Sequence, residues 1–369
     1  MTRSWRLISA DSHINEPPDL WTSRVRAAFK DRAPRIERLE QGDAWIMEGS
    51  STPINFGNNA NGGTPPEQRS AWVRWEDIRR GGYVPAVRLE EQDEDGVEAE
   101  VLYPTPRVSH NVFANNRDRA FHLDCIRAYN DWLAEYASHA PDRLLGIAMM
   151  PTTGVADAVA ELERAMTLPG MRGVLIGRYP NGGLETKPED EPFWARAAER
   201  GVPIHIHVSL AAVMSDEDPE RKKAGARGEL RHLDASQRTY EVILSGMFDR
   251  HPSLDFVFAE VDCGWIPYSK EQFDNRFHRR ARADRPAIAH PPSHYFDHNI
   301  ATTLVTDRFG IANRHAVGVE RMMWSSDFPH GGTDWPNSRV EIEKDFAGVD
   351  PGEKHAILAG NAARIYGLD

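Results

Sequence analysis

The chain has 369 residues and a formal net charge of −12, with 40% hydrophobic and 27% charged residues. This acidic balance argues against nucleic acid and anionic membrane surfaces as partners, and no apolar run reaches the roughly 18 residues needed to cross a bilayer. Two cysteines, Cys125 and Cys263, are too few for a disulfide framework, and the N-terminus has no apolar signal core, so we expect a cytoplasmic protein.

The first predicted strand ends in Asp11-Ser12-His13, and the prolines that follow forbid a regular continuation. Residues two apart along a strand point to the same side, so Asp11 and His13 present one oxygen and one nitrogen donor together. This pair is half of a divalent-metal site, with a surface aspartate beside a polar histidine as the alternative. Glu16 follows shortly after and is either a substrate contact or a hydrogen-bond partner that orients a ligand.

The next part of the chain, residues 19–90, has an irregular pattern. Residues 21–30 can form a helix, and the Gly/Asn/Pro-rich residues 55–66 are typical of a loop. We predict that residues 31–88 form an insertion that acts as a lid, with a partner-contact arm as the alternative.

From residue 89 onward, predicted helices and strands alternate. After the first strand we expect strands at residues 99–104, 144–151, 171–177, 202–208, 254–260, 299–304 and 321–327, with helices at 89–96, 118–138, 155–165, 192–200, 236–249 and from 351. Eight strands that alternate with helices predict an α/β fold, a distorted (β/α)8 TIM barrel with loop insertions, formed by residues 1–369 as one domain. A doubly wound open sheet is the alternative, which the lack of a Gly-rich phosphate turn after the first strand disfavours. The charged residues 209–236 are predicted to be an exposed insertion.

Enzymes with this fold carry their catalytic groups where strands meet the following loops, and four predicted strands end in possible ligands. They are Asp11 and His13, then His205 and His207, then Glu260, and finally Asp327 followed by His330. Imidazole and carboxylate groups suit zinc, manganese or iron, and the absence of thiolates disfavours a closed structural zinc site. Asp11, His13, His207 and Asp327 would hold one ion and leave coordination positions open for water or substrate.

Several of these residues have other interpretations. Asp327 could cap the next helix, and His205, deeper in its strand, is more typical of a hydrogen-bonded core histidine than of a metal ligand, so we place it among the candidate substrate contacts. Glu260 follows a mostly apolar run, so its charge demands a partner and a function is favoured. Cys263 is interpreted as structural. The histidines 290, 294 and 298 either line the barrel mouth or are exposed.

Five motifs carry a family resemblance. They are Asp11-Ser12-His13, Pro203-Ile204-His205-Ile206-His207, His251-Pro252-Ser253-Leu254, Ser325-Ser326-Asp327-Phe328-Pro329-His330 and Gly360-Asn361-Ala362-Ala363-Arg364-Ile365-Tyr366-Gly367. Together they resemble the amidohydrolase-related metal enzymes, in the branch that contains aminocarboxymuconate-semialdehyde decarboxylase and gamma-resorcylate decarboxylase. The resemblance implies a distorted (β/α)8 barrel with one divalent ion, zinc or manganese, held by Asp11, His13, His207 and Asp327. Because relatives often dimerise through loop arms like residues 31–88, we also expect a homodimer or higher homo-oligomer.

The sequence departs from this family at three positions. Asp11 stands where His or Glu is more usual, and Glu260 stands where the decarboxylases carry a histidine. Arg178 follows the fourth strand, where members with two metals often have a carboxylated lysine, so we expect a mononuclear site. Arg178 is either an anion clamp for a substrate carboxylate or a surface residue.

We predict a metal-dependent hydrolase as the main function. The ion would activate water, Asp327, Glu260 and His330 would move protons, and the substrate would be a small cyclic or aromatic molecule with a carboxylate. The first alternative is non-oxidative decarboxylation of a hydroxylated aromatic or unsaturated acid, which kinship favours and Glu260 disfavours. A hydratase and a non-catalytic metal-binding barrel complete the alternatives.

Overall fold

The central element of the molecule is a ring of eight parallel strands. The computed structural model describes residues 5–211 and 231–368. Within these residues the strands are β1 (Ile8–His13), β2 (Arg35–Arg38), β3 (Asp43–Ile46), β4 (Ile54–Asn55), β5 (Ala99–Tyr103), β6 (Leu144–Met149), β7 (Met171–Leu175), β8 (Ile204–His207), β9 (Phe256–Ala259), β10 (Ile300–Leu304) and β11 (Met322–Trp324). The eight-stranded sheet has the order β1-β5-β6-β7-β8-β9-β10-β11, and all the pairs in it are parallel.

Backbone hydrogen bonds close this sheet into a barrel. The amide of Asp327 donates to the carbonyl of Asp11 at 3.0 Å, and the amide of His13 donates to the carbonyl of Phe328 at 2.7 Å. The segment after β11 therefore lies against β1, so no free sheet edge remains between the first and last strands. The predicted (β/α)8 barrel is confirmed, and the open doubly wound sheet is wrong for this chain.

Helices cover the outside of the barrel. They are α1 (Leu20–Arg24), α2 (Pro85–Asp95), α3 (Pro106–Ala114), α4 (Arg119–Ala137), α5 (Val155–Ala165), α6 (Glu191–Glu199), α7 (Arg231–Leu244), α8 (Met247–Arg250), α9 (Ile266–Arg279), α10 (Pro292–His298), α11 (Arg308–Ala312), α12 (Arg314–Val317), α13 (Ser338–Asp345), α14 (Pro351–His355) and α15 (Asn361–Tyr366). A turn of π-helix, Ala356–Gly360, joins the last two. No helix in the described ranges is long and apolar enough to cross a membrane.

Local sequence explains where the best-predicted helices begin and end. The side chain of Asp118 accepts hydrogen bonds from the amides of Ala120 and Phe121, so it caps the start of α4. Pro85 stands in the first turn of α2, where its missing amide costs nothing, and Gly96 ends that helix with a positive φ of 77°.

Two segments differ from their predicted conformation. The basic segment at residues 277–280, expected to be irregular, contains the last turn of α9. This helix packs Ile266, Phe273 and Phe277 against the core, although most of its residues are polar or charged. The histidines at 290, 294 and 298, expected in a loop, lie on or just before α10. This helix ends where β10 begins, at the end of the barrel opposite the mouth, and His290 and His298 are exposed. Of their two interpretations, surface exposure fits.

The insertion at residues 31–88 carries its own small antiparallel sheet, β2-β3-β4. It contacts the carboxyl ends of the barrel strands: the amide of Gly62 donates to the carbonyl of Pro329 at 2.8 Å, and the amide of Asn15 donates to the carbonyl of Gly82 at 2.8 Å. Its action as a lid and the assignment of residues 1–369 to one domain stay predictions. Of the predicted insertion at 209–236, residues 212–230 lie outside the described residues.

Candidate metal centre

The end of β1 directs two donors into the barrel. The pairing of β1 with β5 shifts register between Ser9 and Ser12, and Asp11 and His13 are completely buried. His13 Nδ1 lies 3.1 Å from the carbonyl oxygen of Pro104, so this nitrogen carries the proton and donates it. The other ring nitrogen, Nε2, then presents a lone pair to the barrel centre, which is how protein histidines bind metals.

Donors from three strands converge on this nitrogen. His13 Nε2 lies 3.1 Å from His207 Nε2, 3.6 Å from Asp11 Oδ1 and 3.3 Å from Asp327 Oδ1. His207 Nε2 and Asp11 Oδ1 are 3.3 Å apart. Four donors arranged tetrahedrally around an ion at about 2.0–2.2 Å are separated from one another by about 3.3–3.6 Å. The spacings among Asp11, His13 and His207 therefore suit one divalent ion, and Asp327 approaches the same nitrogen of His13.

The buried carboxylates provide an independent test of that fit. Asp11 Oδ1 and Asp327 Oδ1 are buried and accept no well-aligned hydrogen bond, although Asp11 Oδ2 accepts one from the hydroxyl of Thr303 at 3.2 Å. A buried carboxylate oxygen without a partner is costly unless a cation or a proton neutralises it. Burial raises the pKa of Asp11 to about 7, against the opposing effect of His13. Asp11 Oδ1, which lies beside the Nε2 atoms of His13 and His207, therefore fits a cation ligand, whereas Asp327 Oδ1 also faces the ring of His330.

Asp327 is held by the two histidines beside it. His330 Nδ1 lies 2.8 Å from Asp327 Oδ1, and the His330 ring stacks on the ring of His13 with centroids 3.8 Å apart. Burial works to raise the pKa of Asp327, but His330 and His13 outweigh it and hold that pKa well below its usual range. For the same reason Asp327 raises the pKa of His330, although burial works to lower it.

Glu260 reaches the same cluster from the end of β9. Its Oε2 lies 3.5 Å from His207 Nε2, and its amide donates to the hydroxyl of Thr303 at 2.8 Å. Burial first, and then the charge of Asp327, raise the pKa of Glu260 to about 7. Within the described residues, His13, Glu260, Asp327 and His330 form one group able to hold an ion, and Asp11, His13 and His207 form an overlapping one.

The backbone is strained at the mouth of the barrel, at or next to the residues of this cluster. Val208, Glu260, Asp262 and Asp327 have positive φ angles of 59°, 58°, 55° and 55°. Such angles are unfavourable for residues with a Cβ atom and persist where surrounding contacts enforce them, often at functional sites. All four follow barrel strands.

The structure places His205 elsewhere. Its Nδ1 contacts the carbonyl of Val174 at 3.0 Å, and its Nε2 contacts the hydroxyl of Tyr366 at 3.2 Å, so both ring nitrogens have protein partners in the barrel interior. Because neither nitrogen is left for a ligand, we correct the expected substrate contact of His205 to a core position.

Arg178 is also occupied by protein groups. Its guanidinium donates to the carbonyl of Ala211 at 3.1 Å and to the carbonyl of Gly182 at 3.3 Å. These bonds tie the guanidinium to the loop after β7 and use two of its five N–H donors, so its role as an anion clamp or a surface residue stays a prediction.

Glu16 lies close to the cluster without joining it. It is buried, and its Oε1 accepts a hydrogen bond from the amide of Thr105 at 2.9 Å. Burial raises the pKa of Glu16 to about 7. Glu16 lines a small cavity between the barrel and the insertion, with Trp45 and Trp75 among its walls. Its role as a substrate contact or an orienting group stays a prediction.

Helix α3 is the feature of the site that sequence analysis missed. It begins with Pro106 directly after β5 and lies over the mouth, where Ser109, His110 and Phe113 line a cavity that also contains His207. Proline at the first helical position is a start signal that could have revealed it.

Comparison with known proteins identifies a family and several relatives of this chain. A family model described as Amidohydrolase matches residues 10–368. The chain is 27% identical to the 2-amino-3-carboxymuconate-6-semialdehyde decarboxylase of Dictyostelium discoideum, over 77% of each protein. It is also 27% identical to a gamma-resorcylate decarboxylase of Rhodococcus jostii, over 77% of this chain and 87% of the relative.

A solved structure with a similar fold comes from Polaromonas sp. JS666. It is a dihydroxybenzoic acid decarboxylase with bound manganese and the inhibitor 2-nitroresorcinol. It matches with a TM-score of 0.66 and 18% sequence identity, over 98% of this chain and 97% of the other. At this identity the likeness shows a shared fold.

Proposed function

The chain belongs to the amidohydrolase family, as its motifs predicted, and from this premise we propose that it is a metal-dependent decarboxylase of a hydroxylated aromatic carboxylic acid. Our main prediction from the sequence, hydrolysis, has less support than this alternative, because the relatives at 27% identity are both decarboxylases. Kinship with enzymes also disfavours the non-catalytic barrel.

The convergence of Asp11, His13 and His207, with Asp327 Oδ1 lying 3.3 Å from His13 Nε2 in an overlapping group, is the observation that carries this proposal. We propose that these four residues hold one manganese or zinc ion, since manganese is bound in the related Polaromonas enzyme and imidazole with carboxylate suits both metals. When bound, such an ion would draw electron density from the carboxylate and an adjacent hydroxyl oxygen of the substrate.

We assign the proton transfer to Glu260. In decarboxylation the bond between the ring carbon and the carboxylate breaks, carbon dioxide leaves, and the electron pair that remains on the ring carbon takes up a proton. Burial raises the pKa of Glu260, which favours its protonated form, so Glu260 can donate that proton, after which water restores it. In a hydrolysis reaction, the ionised carboxylate of Glu260 would instead act as a general base.

His330 has a positioning role in this scheme. Its Nδ1 contacts Asp327 at 2.8 Å, and its ring stacks on His13, so it fixes two of the proposed ligands from one side. Groups that orient metal ligands in this way commonly affect metal affinity.

The substrate is a small molecule in this proposal. Assembly as a homodimer or higher homo-oligomer, a cytoplasmic location, and the absence of nucleic-acid and membrane partners stay predictions.

The test is turnover by the metal-reconstituted protein. We expect carbon dioxide release from 2,6-dihydroxybenzoate or a related hydroxylated benzoate, loss of that release on chelation, and its return on addition of manganese or zinc. Metal content by mass spectrometry should be about one ion per chain. Hydrolysis of a lactone, ester or amide panel, or hydration of an unsaturated acid, without carbon dioxide from any carboxylic acid, would replace decarboxylation by the corresponding alternative.

A further inference from the structure

One buried hydroxyl joins two residues of the candidate metal centre. Thr303 lies on β10 and is completely buried. Its hydroxyl oxygen accepts a hydrogen bond from the amide of Glu260 at 2.8 Å and lies 3.2 Å from Asp11 Oδ2. Asp11 lies on β1 and Glu260 follows β9, and these two strands do not pair with each other. Thr303 therefore connects parts of the centre that the sheet itself leaves apart.

The direction of both hydrogen bonds follows from the chemistry of the groups. A backbone amide can only donate, so the Thr303 oxygen accepts from Glu260 with a lone pair. Its single proton is then left for Asp11, whose carboxylate can only accept. Because this bond occupies Oδ2 of Asp11, its other oxygen, Oδ1, faces the Nε2 atoms of His13 and His207, at 3.6 and 3.3 Å. The hydroxyl thereby selects the oxygen that Asp11 offers to an ion.

The bond to Glu260 supports a strained backbone. Glu260 has a φ of 58°, a conformation that residues with a Cβ atom adopt at a cost and where surrounding contacts enforce it. The acceptor that Thr303 offers to the Glu260 amide is one such contact. From this backbone the Glu260 side chain reaches the metal centre, where its Oε2 lies 3.5 Å from His207 Nε2. A change at Thr303 therefore shifts the point from which the proposed proton donor approaches the centre.

We propose that Thr303 is a positioning residue of the metal centre, which orients Asp11 toward the ion and fixes the backbone that carries Glu260. This inference rests on the proposed function, which supplies the ion and the proton transfer. Thr303 contacts neither the ion nor the substrate in this scheme, because Asp11 and Glu260 use its hydroxyl. Removal of a group that orients metal ligands commonly lowers metal affinity or activity about 10–100-fold.

The neighbouring residue on the same strand supplies a matched control. Thr302 is also a threonine of β10 and is also completely buried. Successive residues of a strand point to opposite faces, so Thr302 faces the surrounding helices while Thr303 faces the barrel interior. Within the described residues, the Thr302 hydroxyl has no hydrogen-bond partner. Thr302→Val therefore removes a hydroxyl from the same strand without breaking a hydrogen bond.

The experiment compares the wild type with Thr303→Val, Thr303→Ala, Thr303→Ser and Thr302→Val. Titration gives the Kd of manganese, and electron paramagnetic resonance of the bound manganese reports the arrangement of its ligands. At saturating manganese, kcat and KM are measured for a carboxylic acid that the wild type decarboxylates. The thermal midpoint of each metal-free protein identifies a variant that fails to fold, and Thr303→Ala then replaces Thr303→Val, or the reverse.

We expect Thr303→Val and Thr303→Ala to raise the Kd of manganese at least about tenfold and to lower kcat about tenfold, with KM changed less than about threefold. The resonance spectra of both variants should differ from that of the wild type. Thr303→Ser keeps the hydroxyl, so its Kd and kcat should stay within about threefold of the wild-type values. Thr302→Val should match the wild type in every measurement except stability, which should stay equal or rise.

The outcomes separate this inference from the proposed function. If Thr303→Val and Thr303→Ala bind manganese and turn over as Thr302→Val does, the inference is refuted and the proposed function stands. If Thr303→Ser is as impaired as Thr303→Ala, packing and not the hydroxyl explains the loss, and the inference is wrong. A change in Kd without one in kcat, or the reverse, refutes the link between Asp11 and Glu260.

Failure of the wild type has a different meaning. If the wild type binds manganese but releases carbon dioxide from no acid tested, the proposed function fails, and the part of the inference that concerns Glu260 fails with it. The Kd values and the resonance spectra then decide the part that concerns Asp11. If the wild type binds neither manganese nor zinc, both proposals are wrong.

Discussion

Replacing Arg88 by methionine should destabilise the fold and loosen the metal centre together. Arg88 is wholly buried on α2, and its guanidinium contacts three segments of the chain. Its Nε lies 2.5 Å from Glu100 Oε2 on β5, while its two terminal nitrogens donate to the carbonyls of His13 at 2.9 Å and Phe328 at 3.3 Å. The side chain thus ties β1 to the segment that carries Asp327.

The magnitude follows from the charge that the substitution leaves behind. Methionine fills much of the arginine volume but gives Glu100 no counter-charge, and removal of one partner of a buried ion pair costs about 3–5 kcal/mol. Glu100 keeps hydrogen bonds from Gln92 at 2.6 Å and Ser12 at 3.0 Å, which favours the lower end of that range. The double variant Arg88→Met/Glu100→Gln removes the stranded charge and should recover part of the loss.

Urea unfolding of metal-free protein measures the free energy, and titration with manganese measures ion affinity. The control is Arg38→Met, because Arg38 and Glu76 form an exposed pair, with 66% and 56% of their side-chain surface accessible. This control should leave the free energy of unfolding almost unchanged. A loss below about 1 kcal/mol for Arg88→Met, or a double variant no more stable than the single one, would refute the reasoning about the buried charge.

Further predictions concern the metal, the insertion and the pH dependence of stability. Asp327→Asn should keep the shape of its side chain but lose a negative ligand, so metal content and carbon dioxide release should both fall at least about tenfold; full metal occupancy would exclude Asp327 as a ligand. Chelation should lower the thermal midpoint of the wild type, since a ligand bound to the native state stabilises it, and an unchanged midpoint would show that no ion is bound. Gly62→Ala would place a Cβ atom 2.6 Å from the carbonyl oxygen of Pro329, so the insertion should shift. As a result kcat/KM should fall while metal content stays constant, and unchanged kinetics would show that this contact does not shape the site. Burial lowers the pKa of His122 to about 4, below its unfolded value of about 6.5. The contribution of His122 to stability is therefore present above pH 6.5 and is lost as the pH falls toward 4, by up to about 1.4 kcal/mol per pH unit. In urea unfolding of the metal-free protein, His122→Gln should flatten this decline, and an equal decline in both proteins would contradict the assignment.

Neutrality of His122 has a direct structural cause. Its Nε2 accepts a hydrogen bond from the amide of Thr152 at 3.0 Å, and its Nδ1 contacts the carbonyl of Asn115 at 3.1 Å. Protonation would set a donor against the Thr152 amide inside the protein, which is unfavourable.

The barrel and most of its donors are encoded locally. Barrel strands such as β6 and β9 are short apolar runs, and β1 and β8 could be located from the donors at their ends. Period-2 geometry placed Asp11 beside His13. Helix α9 was not predicted because nine of its 14 residues are polar or charged, although Ile266, Phe273 and Phe277 at helical spacing pack against the core.

Tertiary structure decided which of these donors share a site. The 3.1 Å approach of His207 to His13 depends on strand order and barrel closure, which no local pattern contains. The same holds for Arg88, whose partners lie on three separate segments, and for His110, whose position over the mouth depends on the packing of α3. His205 is a histidine on the same strand and the same side as His207, so the sequence does not separate the two. It lies one layer deeper in the barrel, where both of its ring nitrogens contact protein groups. The sequence by itself thus determined the strands and the chemistry at their ends, because those depend on neighbours along the chain, while distance, burial and hydrogen bonding between remote segments emerged only on folding.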